Sequence, residues 1–379
     1  MWFPDAPISP EQFQKDYWRS RPVQLGNDSS LAALSGQITP ALILGLCQDD
    51  LVESRLIEVK EGRYSLKFGP FDQESLPVNN MLMVQSLESH LPMVADLLTD
   101  RFDFIPRWRI DDVMASYADA DMSCGAHFDH YDVFLIQLRG SKHWQLDEGG
   151  HTDVELSTQS EIRLLDQFKA TQHIEQRCGD ILYIPPGIGH WGLASDDCLT
   201  LSIGVLNPTL HEMISHLADS VGDILDTADT LDDQLDADKS AISFASTCAI
   251  TQKMAESLQN PSLTQQWYGS YMTELREPEL VTPLETELNA KQVLDYLRVT
   301  NTFHCHLATR LAFQVINETL LLIFVNGQCF ESDPSILAWL RILEATRQVD
   351  AWQIVINERN IEVLAFLLNT GAISSRNSS

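Results

Sequence analysis

The sequence predicts a mixed α+β protein in which an all-β core is flanked by helical segments. Three observations indicate this. Between residues 108 and 206, short runs of aromatic and aliphatic residues follow one another with turns between them and no helical pattern. Before and after that region, apolar residues recur at helical spacing. The final segment, from residue 279 onward, mixes the two patterns.

Residues 1–100 are predicted to form a mostly helical lead-in. Ser9 can cap a helix whose first position is Pro10, a residue well suited to that place. Thr39 and Pro40 start a second helix in the same way, and leucines give that helix its apolar faces. We therefore expect helices to lead directly into the β core.

The central region is predicted to be a β-barrel or jelly roll. Its strand-like runs are rich in β-branched and aromatic residues and are separated by turn residues, which is typical of short antiparallel strands. The predicted strands are 113–117, 131–138, 144–146, 180–184 and 199–206. A Pro-Pro-Gly turn, residues 185–187, follows the fourth strand.

After Pro208 the helical period returns. One apolar stripe has about one large residue per turn and is wide enough to pack against another helix. Its members are Leu210, Ile214, Leu217, Val221 and Ile224. The acidic stretch Asp226–Asp238 is predicted to be a solvated connection, and further helices are predicted near 241–258 and 261–275. From the sequence alone, packing of the stripe within the same chain is the favoured interpretation.

The last segment has the element order of a small winged-helix-like domain. A helix at 290–297 precedes strands at 311–316 and 320–326 and helices near 334–346 and 360–369. The predicted organisation is therefore a β-core domain with its lead-in, a helical region and a C-terminal domain. Their bounds are 1–207, 208–278 and 279–379.

Composition argues against several classes of protein. Lys and Arg number 25 and Asp and Glu number 54, a net charge of −29, which disfavours gripping a nucleic-acid backbone but suits a basic partner. Seven widely spaced cysteines without a C-x-x-C pair argue against a disulfide framework or a structural zinc site. No apolar run could span a membrane, and no signal-peptide pattern opens the chain. We expect a cytoplasmic protein that binds neither DNA nor membranes.

The candidate chemical site is the sequence His127-Phe128-Asp129 together with His190. Two imidazoles and one carboxylate on one face of a metal, with other positions open, form the facial triad of non-haem Fe(II) oxygenases. Side chains two residues apart in an extended segment point the same way. His127 and Asp129 can therefore converge on one ion, while His190 approaches from a neighbouring strand.

Two alternatives stay open at this point. His130 and Asp132 form a competing H-x-D pair, and His190 could be a hydrogen-bonded core histidine. The run GDILYIPPGIGH, residues 179–190, favours a ligand, because a strand that leads into a rigid turn fixes the approach of the histidine.

Lys142 is the candidate cation of the site. It follows the strand 131–138 and the turn at Arg139 and Gly140. A 2-oxoglutarate molecule that chelates a metal through its 2-oxo acid end has a distal carboxylate, which needs a cation inside the barrel. An ammonium supplies a compact charge with three donors. The alternative is that Lys142, like most lysines, is a solvated surface group.

Four runs resemble the bacterial Jumonji-C oxygenases, also called the cupin-4 family, and among these the ribosomal oxygenases. They are HFDHYDVFLIQ (127–137), GDILYIPPGIGH (179–190), PEQFQKDYWRSRPVQL (10–25) and PRWRIDDVMASYA (106–118). The resemblance covers most of the chain, is strong at 106–144 and 179–206, and is weak beyond about residue 280. It implies a double-stranded β-helix core, a middle helical region that forms a homodimer, and a C-terminal winged-helix-like domain.

The same resemblance implies Fe(II), 2-oxoglutarate and O₂, and hydroxylation of an arginine in a basic large-subunit ribosomal protein. By position, His127, Asp129 and His190 match the family's metal ligands. Lys142 falls where the family places the basic residue for the distal carboxylate. Relatives often have arginine there, and lysine keeps the charge but loses the bidentate fork. Ser116 lies on the strand that supplies a hydroxyl near the co-substrate.

Two other functions are weighed against this one. A cupin-fold metalloprotein with a non-oxidative role, as an isomerase or a binding module, is disfavoured by Lys142. A DNA-binding regulator is disfavoured by the net charge and by the lack of Lys and Arg between residues 311 and 340. The loop Asp119–Gly125 departs from the Gly-rich loop expected in relatives, so the sequence defines the reaction better than the substrate.

Overall fold

The computed structural model describes residues 2–72, 76, 79–153, 156–157, 162–221 and 242–375. It has two compact units, Met1–Pro208 and Thr209–Ser379. Helices and sheets occur in both units, which confirms the predicted mixed α+β class. The predicted boundary at residue 278 stays a prediction.

The first unit contains helices α1–α5 and strands β1–β11. The helices are α1 (Pro10–Asp16), α2 (Leu31–Gln37), α3 (Pro40–Leu46), α4 (Leu87–His90) and α5 (Pro92–Arg101). The strands are β1 (Val23–Asn27), β2 (Ser54–Lys60), β3 (Arg63–Phe68), β4 (Asn80–Val84), β5 (Ile110–Ala118), β6 (Asp132–Arg139), β7 (Ser141–Asp147), β8 (Gln172–Arg177), β9 (Asp180–Ile184), β10 (Gly189–Ala194) and β11 (Cys198–Val205).

These strands form two sheets among the described residues. The large sheet has the order β1-β9-β6-β11-β5-β4-β2-β3, and the small sheet has the order β10-β7-β8. An apolar cluster draws residues from both sheets, including Leu135 and Leu182 from the large one and Trp144 and Leu146 from the small one. The two sheets therefore face each other as a cupin-type β-sandwich, which confirms the predicted core.

The helices of the first unit pack on the other side of the large sheet. Phe13 of α1 is buried and lies 5.8 Å from Phe134 and 4.9 Å from Tyr183, measured between ring centroids. Alternation along each strand assigns such aromatic residues to the helical side and leaves the other side for the space between the sheets.

The prediction that residues 1–100 are mostly helical is wrong in part. Strands β1–β4 lie in that region and all belong to the large sheet. β2 and β3 are joined by Glu61 and Gly62, whose φ angles of +51° and +75° are those of a tight hairpin turn. A Glu-Gly pair is a weaker hairpin signal than Asn-Gly. The turn is therefore easily missed in the sequence, and with it the two strands that it joins.

The second unit contains helices α6–α11 and strands β12–β17. The helices are α6 (Leu210–Val221), α7 (Phe244–Leu258), α8 (Pro261–Thr273), α9 (Ala290–Val299), α10 (Leu337–Thr346) and α11 (Glu358–Asn369). The strands are β12 (Thr302–Cys305), β13 (Leu311–Val315), β14 (Leu321–Val325), β15 (Gln328–Ser332), β16 (Gln348–Asp350) and β17 (Ile373–Ser374). Helix α8 packs closely on β14, where a Cβ on Gly269 would lie 2.2 Å from the Phe324 ring.

The predicted helices and strands of this unit have counterparts in the structure. Ile224 and the acidic stretch Asp226–Asp238 lie outside the described residues. Within the described part of the chain, no helix has the length and apolar character needed to cross a membrane.

Candidate metal centre

The backbone brings the candidate ligands together at one end of the β-sandwich. His127 and His190 form an isolated antiparallel β-bridge. The His127 N–H donates to the His190 carbonyl at 3.1 Å, and the His190 N–H donates to the His127 carbonyl at 2.7 Å. The carbonyl of Asp129 accepts the Gly187 N–H at 2.8 Å. Gly187 has a φ of +76°, a conformation that glycine adopts readily, so the Pro-Pro-Gly turn can reach the Asp129 segment.

The three side chains converge on a common centre. The candidate ligand atoms of His127, Asp129 and His190 all lie within 4.8 Å of one another. Nε2 of His190 lies 3.6 Å from Oδ2 of Asp129, and the two imidazole centroids are 4.2 Å apart. In the part of the chain that the structure describes, no other group of His, Cys, Asp and Glu has this geometry.

Backbone carbonyls orient both imidazoles. Nδ1 of His127 lies 3.0 Å from the carbonyl of Gly125, and Nδ1 of His190 lies 3.0 Å from the carbonyl of Ile188. Each contact requires the tautomer with hydrogen on Nδ1, which leaves the Nε2 lone pair for a metal. Hydrogen bonding of the second ring nitrogen is the usual way in which a ligating histidine is fixed.

The pKa values of the two imidazoles shift in opposite directions. Burial lowers the pKa of His190 to about 4, with a further lowering from His127, so this ring is neutral at neutral pH. Burial also lowers the pKa of His127, but Cys124 and Asp129 outweigh burial and raise that pKa to about 10. Because a metal binds neutral imidazole, a cation beside Asp129 has to take the place of the His127 proton. Two imidazoles and a carboxylate are a donor set that fits a divalent transition metal.

The competing H-x-D pair is not brought together. Nε2 of His130 lies 3.0 Å from Oδ1 of Asp153 at the surface. Asp132 is buried, and its carboxylate contacts the Tyr183 hydroxyl and the Arg19 guanidinium. Both members of the pair therefore serve structural contacts.

Lys142 lies inside the β-sandwich, which excludes the solvated alternative. It is 3% exposed, and its Nζ donates to the Thr200 hydroxyl at 3.5 Å. Among the described residues, no carboxylate lies within 4 Å of Nζ. A buried charge is normally paired, so this ammonium is suited to an anionic ligand.

Ser116 shares the interior with Lys142. It is buried, and in the register of β5 and β11 it lies opposite Thr200. The Thr200 hydroxyl donates to Gln137 Oε1 at 2.9 Å. Thr200 and Gln137 were not predicted as site residues. Both could have been found in the sequence, because each is a polar residue in an otherwise apolar strand, at a position whose side chain points into the sandwich.

Comparison with protein families gives two matches. A JmjC domain model matches residues 97–213, and a ROXA-like winged-helix model matches residues 256–373. The second match confirms the predicted C-terminal winged-helix domain.

Curated relatives include a probable ribosomal oxygenase of Haemophilus influenzae and the ribosomal protein uL16 3-hydroxylase of Escherichia coli. The first is 37% identical over 56% of this chain, and the match spans about half, 53%, of that relative. The second is 30% identical over 76% of this chain and 77% of the relative.

The solved structures of YcfD, a ribosomal oxygenase from Escherichia coli, have the same architecture. The match to one of them, solved in complex with cobalt and 2-oxoglutarate, covers 97% of this chain and 98% of the YcfD chain, with a TM-score of 0.79 and 25% identity. Fold and site together define a JmjC-type protein with a candidate metal centre. More narrowly, the chain belongs to the JmjC ribosomal oxygenase family, which confirms the resemblance noted in its sequence.

Proposed function

We propose that this protein is an Fe(II)- and 2-oxoglutarate-dependent protein hydroxylase. The observation that carries the proposal is that three convergent candidate ligands and the buried Lys142, which has no carboxylate partner among the described residues, are brought together by the paired strands β10 and β7. A metal site at one place and a cation at another suit a 2-oxo diacid, because such a molecule has a chelating end and a distal carboxylate. The related YcfD has been solved with cobalt and 2-oxoglutarate.

In this proposal His127, Asp129 and His190 hold one metal ion and leave its remaining positions open for the co-substrates. Iron(II) held there supplies, with 2-oxoglutarate, the means to activate O₂. The reaction balances when one oxygen atom of O₂ enters the substrate C–H bond and the other enters succinate, with release of CO₂. The substrate and 2-oxoglutarate each lose two electrons, and O₂ accepts all four.

Lys142 binds the distal carboxylate in this reaction. Its ammonium supplies the charge and three donors, while the Thr200 hydroxyl accepts from Nζ and donates its own proton to Gln137. We assign the hydroxyl of Ser116 to the same pocket, because its strand position places it opposite Thr200. Burial excludes water and strengthens these contacts.

The proposed substrate is a basic segment of a large-subunit ribosomal protein, with arginine as the hydroxylated residue. A relative is named as a uL16 3-hydroxylase, and the net charge of −29 attracts cationic chains over a Debye length of about 8 Å at physiological salt. Asp119 and Asp121, in the loop before His127, are candidate acceptors for a guanidinium. A ribosomal substrate also supports action in the cytoplasm.

We also propose that the protein is a homodimer formed by its middle helices. Leu210 and Ile214 of α6 are 69% and 56% exposed, and Met254 of α7 is 61% exposed. Large apolar side chains in solvent on consecutive helices favour burial against a second copy. Light scattering at micromolar concentration should return twice the 42.7 kDa chain mass; the single-chain mass would contradict the proposal.

The decisive test of the reaction uses purified protein with Fe(II), 2-oxoglutarate, O₂ and peptides from basic ribosomal proteins. We expect succinate and a peptide heavier by one oxygen atom in equal amounts, with the added oxygen mapped to an arginine by mass spectrometry. Raising the salt concentration should slow the reaction. Modification of acidic peptides alone, or succinate without any modified peptide, would contradict the proposed substrate class.

A further inference from the structure

The small sheet places Trp144 between the candidate metal centre and Lys142. On β7, Lys142 and Trp144 are buried at alternate positions, so their side chains share one face of the sheet. Trp144 pairs with Gly192 of β10, and His190 lies two residues before Gly192. Four residue steps along the ladder, about 13 Å, separate the level of His190 from that of Lys142.

The indole of Trp144 contacts both ends of this face. Its ring centroid lies 5.0 Å from Nζ of Lys142 and 6.0 Å from the ring centroid of His190. A ligand that reaches from the metal ligands to Lys142 therefore has to run along the indole.

The indole is held in one orientation. Its Nε1–H donates to Gln176 Oε1 at 2.8 Å. The Gln176 amide in turn donates to the carbonyls of Leu135 at 2.7 Å and Asp180 at 3.0 Å. A Cβ on Gly192 would lie 2.6 Å from the ring, so glycine at this position makes room for the indole.

A fixed indole also fixes the ammonium. A lysine has a flexible stem, and its one hydroxyl partner here, Thr200, is at the long distance of 3.5 Å. The Trp144 ring also attracts Nζ through a cation–π contact, and such a contact is stronger when it is desolvated than when it is exposed. Nζ is thereby held at one distance from the candidate ligands.

We propose that Trp144 is the specificity-determining residue of the co-substrate pocket. Its indole holds Lys142 at the position that selects a five-carbon 2-oxo diacid over its six-carbon homologue. The proposal rests on the proposed function. An additional methylene would push the distal carboxylate against an ammonium that cannot retreat, because the indole and Thr200 hold it. Trp144 acts through Lys142 and through the shape of the pocket wall, and so it is a positioning residue.

The test measures equilibrium binding to the Co(II)-loaded protein by isothermal titration calorimetry, with 2-oxoglutarate and 2-oxoadipate as probes. Trp144→Leu should raise the dissociation constant for 2-oxoglutarate about tenfold, since a desolvated cation–π contact and the anchored wall are both lost. The preference for 2-oxoglutarate over 2-oxoadipate should fall towards equality. Co(II) affinity should not change, because all three candidate ligands remain. Trp144→Phe keeps an aromatic face without the Gln176 bond and should show a smaller loss.

The matched control is Trp191→Leu. Trp191 follows His190 on β10, and alternation directs its side chain to the opposite face, where it contacts Phe168. We expect both dissociation constants to stay at wild-type values in this variant. Wild-type affinity and preference in Trp144→Leu, or in Trp144→Phe if the leucine variant does not fold, would overturn the Trp144 proposal alone. A wild-type protein that binds neither acid would overturn the proposed function as well.

Discussion

The candidate metal centre and the surroundings of Lys142, called here the metal end and the Lys142 end, are held in place by different kinds of contact. At the metal end the backbone provides the order: a β-bridge joins His127 to His190, and main-chain carbonyls orient both rings. At the other end side chains provide it, because Lys142 depends on the Thr200 hydroxyl and the Trp144 ring. The metal end is thus built from two short segments, whereas the Lys142 end is assembled from side chains on several strands.

This difference predicts different responses to substitution. The metal end has three candidate ligands in all, so the loss of one removes a large share of the protein's hold on the ion. The Lys142 end has several partial contacts, so the loss of one should weaken the binding of the co-substrate by degrees. Each prediction below tests one side of this contrast, in order of expected effect.

The largest effect is expected for Asp129→Ala. Turnover of 2-oxoglutarate should fall below detection, because the carboxylate is the only anionic ligand of the triad. The fold should persist, since the side chain is partly exposed and its contacts are with Tyr131 and with the candidate ligand His190. Succinate formation and a thermal melt measure the two expectations. His130→Ala is the matched control and should stay active; full activity in Asp129→Ala would contradict the ligand assignment.

The metal end could be predicted from sequence because its geometry is local. His127 and Asp129 are two residues apart in an extended segment, and the turn before His190 is defined by its own residues: two prolines restrict φ and Gly187 adopts the left-handed conformation. Such constraints act over a few residues and are visible as motifs.

The Lys142 end could be predicted only in part. Lys142 itself stands out after a strand and a turn, but Gln176 and Gly192 lie on β8 and β10, neither of which has a strong strand signal in sequence. Gln176 matters because cross-strand pairing of β7 and β8 sets it opposite Lys142, next to the Trp144 it anchors. That relation exists only once the register of the small sheet is set, so local patterns do not reveal it.

A large graded effect is expected for Lys142→Ala. The apparent KM for 2-oxoglutarate should rise at least about tenfold, since removal of a buried charge partner is costly. Lys142→Arg should lose less, because it keeps the charge with a different shape. Steady-state kinetics and calorimetry measure both, and metal affinity should be that of the wild type. If 2-oxoglutarate affinity is unchanged in Lys142→Ala, another cation holds the carboxylate.

A smaller effect on the metal end is expected for Gly187→Ala. At a φ of +76° an alanine should lower the free energy of unfolding by about 1–2 kcal/mol. It should also weaken metal binding, because the Gly187 N–H ties the turn to the Asp129 carbonyl. Gly62→Ala is the control: its φ is +75° and its Cβ would meet nothing within 4 Å. The two variants should lose similar stability, and equal metal affinity in both would show that the turn does not position the ligands.

The smallest effect is expected for Ser116→Ala, at the end held by side chains. If the Ser116 hydroxyl donates to the distal carboxylate, its loss should raise the apparent KM for 2-oxoglutarate about three- to tenfold, which corresponds to about 0.7–1.4 kcal/mol and lies within the net range of a typical hydrogen bond. The turnover number should not change, because Ser116 lies opposite Thr200, the residue that Lys142 Nζ contacts, and is not one of the candidate metal ligands. Ser54→Ala is the matched control, since Ser54 is also 2% exposed and lies on β2 of the same large sheet. A KM that rises equally in both variants would point to a general effect on the sheet, and a KM that rises in neither would remove Ser116 from the pocket and leave Thr200 as the hydroxyl beside Lys142.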